Sequence, residues 1–136
     1  MATTGVNYLA VLVAGAIYFM LGAVWYAKGL FGKAWMEGIG KTEEKVKADY
    51  TPMTLVWAFV GSFVSAYGIA RVLSWTTGTG ITGGVTVGLI AAVCFAIPPL
   101  AVGDCMESRP LKLTIINGLY DLIGFLIMGI IIGVWR

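Results

Sequence analysis

The sequence has no histidine, two cysteines and only four prolines in 136 residues. Without histidine, haem and most zinc sites lose their commonest ligand. Cys94 and Cys105, placed on one helix, would share a face about 16 Å apart, too far to pair within it. Charge is scarce too. Asp, Glu, Lys and Arg form 12% of the chain and hydrophobic residues 59%, where a soluble domain has about 25% and about 45–50%. That balance excludes a water-soluble globular fold, a disordered chain, a disulfide scaffold and a nucleic-acid binder. The opening Met-Ala-Thr-Thr-Gly lacks the basic stretch of a cleaved signal, so the first apolar run is expected to be retained.

What is present is a set of four long apolar runs, at about 6–27, 52–75, 81–103 and 111–134. About 20 residues suffice to cross a hydrocarbon core of about 30 Å as a helix. Lipid offers no partners to free backbone groups, and runs of this length are too long for barrel strands. The expected fold is all-α integral membrane: residues 1–136 form a single transmembrane domain of four transmembrane helices in an antiparallel bundle. Thr51 with Pro52 supplies helix-entry chemistry for the second span, and Pro110 does so for the fourth. Tyr8, Trp25, Tyr26, Trp57, Trp75 and Trp135 fall near span ends, where aromatic rings anchor at head-group level.

Nine of the sixteen charged residues lie between Lys28 and Asp49, inside the first loop, at about 28–51. Lys28, Lys33, Lys41, Lys45, Lys47, Arg109 and Lys112 flank the first and third loops, against Arg71 and Arg136 on the other side. The positive-inside rule therefore places both loops in the cytoplasm and both termini outside, as in a bacterial inner-membrane protein. Within the first loop, Phe31, Trp35 and Ile39 recur every four residues, as on a short helix in the interface plane. Thr42, Glu43 and Glu44 then read as a capped turn. The loop can dock a cytoplasmic partner, or serve as an elbow whose lysines touch anionic lipid.

Small residues recur at four-residue spacing. The second span carries Ala58, Ser62, Ala66, Ala70 and Ser74, and the third Gly80, Gly84, Gly88, Ala92 and Ala96. Helices in lipid associate by close packing, which such ribbons permit. The two ribbons are expected to face each other or a second copy, and Gly129 and Gly133 repeat the motif in the fourth span.

Near the middle of the fourth span lies Asp121, with Asn117 and Thr114 on the same face. A carboxylate there costs at least about 2.5–3.5 kcal/mol and should find partners inside the bundle. Counted along the helices, Tyr18, Ser62, Ser65 and Cys94 reach its depth, whereas Arg71 sits about 12 Å further out and should snorkel beside Trp75. Pro98 and Pro99 should kink the third span and free the carbonyls of Cys94 and Phe95 at a similar depth. These residues define a candidate midplane site for a cation or proton. Its alternative is internal satisfaction, with the Asn117 amide or a serine hydroxyl on the free carbonyls and Asp121 simply protonated. Asp104, Cys105 and Glu107 read as a solvated turn, and no metal or cofactor site is expected.

The segments Asn7-Tyr8-Leu9-Ala10, Gly22-Ala23-Val24-Trp25-Tyr26 and Phe31-Gly32-Lys33-Ala34-Trp35 resemble a bacterial membrane family. So do Arg109-Pro110-Leu111-Lys112-Leu113, Asn117 and the apolar tail containing Gly129. The family is catalogued as domain-of-unknown-function family 1761. The resemblance covers essentially the whole chain, is most specific at both ends, and implies a small four-helix membrane protein. It supplies no activity or catalytic residue. The expected function is a self-assembling or accessory subunit, partnered by the lipid bilayer and by its own copies or a larger membrane complex. A small oligomeric transporter or channel built on the Asp121 site is the alternative. An enzyme is not expected, since no nucleophile–base pair, phosphate loop or metal set is present.

Overall fold

The computed structural model describes residues 5–78 and 80–136, and all regular structure among them is helical. Helix α1 runs Tyr8–Trp25, with the Asn7 side chain accepting from the Leu9 and Ala10 amides at its start. Two short helices occupy the first loop. Helix α2, Gly32–Ile39, is closed by Gly40 in the left-handed conformation (φ 70°), a geometry that costs glycine little. Helix α3, Glu43–Asp49, is capped by Thr42, whose hydroxyl accepts from the Lys45 amide at 3.3 Å. Helix α4, Pro52–Ser74, opens with proline at its first position, and the Thr51 amide donates to the Thr54 hydroxyl. The third span, Gly80–Met106, is α5 (Gly80–Ile90), a π turn (Ala91–Ala96) and α6 (Ile97–Met106). Helix α7 runs Leu111–Val134. Among the described residues, four helices are long and apolar enough to cross a membrane.

The bundle is antiparallel and centred on α7, which packs against α1, α2, α4, α5, α6 and the π turn. The closest pair is α5 with α7. A Cβ added to Gly84 would collide with the Gly129 carbonyl, and one on Gly88 would lie 2.5 Å from the Phe125 oxygen. One on Gly133 would lie 2.5 Å from the Gly80 oxygen, so the antiparallel register holds along the whole contact. Ser62, Ala66 and Ala70 of α4 are buried instead beside Ala10 and Ala14 of α1.

The expectation that the two ribbons face each other is thus corrected. Two glycine faces approach until backbones touch, and α5 finds those glycines on α7. The alanine and serine ribbon of α4 needs only a small-residue face, and α1 provides one. Ala58, at the head of that ribbon, is exposed, as is every residue of α4 from Pro52 to Gly61. In the third span Ala92 is buried and Ala96 half-buried.

The paired prolines come with a π turn that the sequence reading does not include. Just before them the helix widens, and the Ile97 amide donates to Ala92 five residues back. A wider turn gives the proline rings room that an α turn would deny them. The Cys94 carbonyl faces Pro98 at four residues and Pro99 at five, so neither helical register offers it a donor.

Candidate functional site

The polar groups of the bundle gather on the seam between α1 and α7. At its far end the Asn7 side-chain amide donates to the Trp135 carbonyl at 2.6 Å. In mid-span the Tyr18 hydroxyl donates to Asp121 Oδ1 at 3.0 Å, and the Tyr120 hydroxyl donates to the Tyr18 carbonyl at 3.2 Å. Towards the loop side, Trp25 Nε1 donates to the Ile116 carbonyl at 3.1 Å and the Tyr26 hydroxyl to Asn117 Oδ1 at 2.6 Å. Every bond joins the same two helices or their caps, and together they run the length of the α1–α7 contact.

Aromatic packing surrounds these bonds. The Tyr18 and Tyr120 rings stack with centroids 4.9 Å apart, and Tyr26 meets Tyr120 edge-on at 5.3 Å. Trp25 lies 4.5 Å from Phe31, and Tyr26 lies 5.7 Å from Trp35 of α2. Glycines make room for the rings: a Cβ on Gly22 would stand 2.8 Å from the Tyr120 hydroxyl, and one on Gly124 would overlap the Tyr18 ring.

Of the midplane residues expected from the sequence, the structure brings together Asp121, Asn117 and Tyr18. It does not bring the others. The Ser62 hydroxyl donates to the Ala58 carbonyl of its own helix at 2.8 Å, and Ser65 is half-buried on α4. Cys94 is exposed and Phe95 is 73% exposed, both turned away from the bundle. Depth counting fixed their height on the helix and left their direction around it open; the π turn adds its own rotation. Arg71 lies over the Trp75 ring at 5.4 Å, beside the span end and away from Asp121.

Three participants escaped the sequence reading. The sequence marks Trp25 and Tyr26 only as anchors and gives Tyr120 no role. The signal available was position: Tyr120 adjoins Asp121, and Trp25-Tyr26 sits one antiparallel span away from Ile116-Asn117. Asp104 is a correction too. It is buried, not solvated, and accepts from the Thr114 hydroxyl at 2.8 Å, tying α6 to α7. Among the described residues no buried side-chain nitrogen or oxygen lacks a partner.

Outside the spans, the first loop is held by ion pairs. Glu43 meets both Lys28 and Lys47, and Asp49 meets Lys41 and Lys45. Hydrogen bonds from Lys28 and Lys47 bring the Glu43 carboxyl down to about 2. Those from Lys41 and Lys45 hold Asp49 below its ordinary value.

The profile described as "Protein of unknown function (DUF1761)" matches residues 9–133. The chain belongs to this family. Within the segments that carry the resemblance, Asn7, Gly22, Trp25, Tyr26, Asn117 and Gly129 lie in the contacts between α7 and its neighbours. No curated protein and no solved structure matches the chain.

Proposed function

We propose that this DUF1761 chain is a self-assembling or accessory membrane subunit whose α1–α7 polar seam is scaffolding. One observation carries the reading: α4 from Pro52 to Gly61 exposes every residue, including Val56, Trp57 and Val60, and reaches α1 there through the edge of Phe59 on Phe19 at 5.8 Å. A helix half left outside its bundle is available to another helix. The internal satisfaction of Asp121 by Tyr18 supports the same view, since the acid has found its partner within the chain. The basic loops carrying α2 and α3 lie on the cytoplasmic face of a bacterial inner membrane in this proposal, and no side chain is assigned a catalytic step. The test is disulfide trapping in native membranes, using Val56→Cys or Val60→Cys with Cys94→Ser and Cys105→Ser. Cross-linked copies, or a stoichiometric larger membrane protein in the complex released by gentle detergent, are expected. A chain that is monomeric and alone in both measurements overturns the proposal.

A second reading, transport, is favoured by the half-buried row Thr114, Asn117 and Asp121 along one side of α7. It requires Asp121→Asn to abolish pH-dependent substrate binding in a folded protein. Unchanged binding removes it.

A further inference from the structure

At the loop end of the bundle two helix C-termini converge. Helix α2 closes through Gly40, with the Lys41 amide donating to Met36, and α6 closes through left-handed Ser108 (φ 56°), with the Arg109 amide donating to Asp104. Each terminus is followed at once by a cation, Lys41 or Arg109. Between them opens a cleft of about 650 Å³ lined by Trp35, Ile39, Lys41, Glu107, Arg109 and Pro110, a volume within the range of small-molecule sites. Gly38 packs against Leu113, so the cleft sits at the start of α7, where lipid head groups meet their acyl chains.

The charges of this cleft have both signs. Arg109 Nε lies 2.7 Å from Glu107, which is 60% exposed, and Lys41 lies 2.8 Å from Asp49. The ends of α2 and α6 add partial negative charge, which disfavours a ligand that is only anionic. A dipolar group suits the lining better. We propose that the cleft seats the phosphoethanolamine head group of an aminophospholipid. Its phosphate lies against Arg109 and Lys41, its ammonium donates to Glu107, and its glycerol end rests on Trp35 and Ile39. A primary ammonium donates hydrogen bonds and a quaternary choline does not, so phosphatidylethanolamine should be held over phosphatidylcholine.

The test uses the full chain in phosphatidylcholine bilayers, with trace spin-labelled phosphatidylethanolamine, phosphatidylcholine or phosphatidylglycerol as probes and the motionally restricted fraction as readout. The ethanolamine lipid is expected to associate about three- to tenfold more strongly than the other two, and Glu107→Gln to remove that preference. Lys41→Gln should weaken the ethanolamine lipid as well. Arg109 also approaches Asp104, so the two exposed-residue variants, and not Arg109→Gln, carry the test. Preference for phosphatidylglycerol marks the cleft as an anionic-lipid site and overturns the proposal. So does equal association of all three lipids, or an ethanolamine preference untouched by Glu107→Gln.

Discussion

At the scale of single residues, the apolar surroundings of the bundle decide what a polar side chain is worth. Tyr18 and Asp121 satisfy each other between α1 and α7. Hydrogen bonds between membrane helices average about 0.6 kcal/mol and reach about 1.7. A double-mutant cycle of Tyr18→Phe and Asp121→Asn, followed by unfolding in mixed micelles, should give a coupling in that range. A coupling of zero would mean the bond contributes nothing to the seam. Glycine positions make a sharper contrast. A Cβ on Gly88 meets the Phe125 backbone, while one on Gly61 or Gly103 meets nothing within 4 Å. Gly88→Ala should cost about 1–3 kcal/mol through overpacking. Gly61→Ala and Gly103→Ala should be neutral or slightly stabilising in the same unfolding measurement, because alanine favours the helix.

Elements show how far a sequence reaches. Span lengths and their proline and threonine starts depend on hydropathy and local chemistry; α4 begins at Pro52 as that signal requires, while Pro110 caps α7 one residue before its start at Leu111. Partner choice depends on the angle around each helix, which length and composition leave open. Cys94 and Phe95 therefore matched Asp121 in depth and still face outward. Tyr26 read as an anchor because span ends are aromatic anyway, and its bond to Asn117 becomes visible only once α1 and α7 are neighbours. The loop helices are more legible, since their bonds are local. Glu43, brought to about 2 by Lys28 and Lys47, keeps its charge below the ordinary 4.5. A carboxylate lowered in the folded state contributes stability above its unfolded value and loses it as pH falls towards the folded one. The tie from Lys28 to α3 should therefore persist at pH 4 and open near pH 2, as followed by carboxyl-carbon NMR of Glu43. It should weaken with added salt at neutral pH, since the pair is exposed.

On the scale of the whole molecule, α7 is the hub. It is joined to α1 by side-chain hydrogen bonds, to α5 by bare backbone contact and to α6 through Thr114 and Asp104. These are different kinds of attachment, and they respond to different changes. Enlarging a glycine should part α5 from α7 while the tyrosines keep α1 in place. Removing a hydroxyl should loosen α1 while the glycine contact stands.

That hub is also the last of the four spans to leave the ribosome. During synthesis α1 and α4 can already pair, but Gly84 and Gly88 have no matching surface until Gly129 and Gly133 have been inserted. For that interval the third span waits with its tightest contact unmade. A chain halted before Leu111 should accordingly be a ready substrate for membrane quality-control proteases, with a half-life in pulse-chase much shorter than that of the full chain. The timing of the bundle's closure is thus written into the position of a single helix.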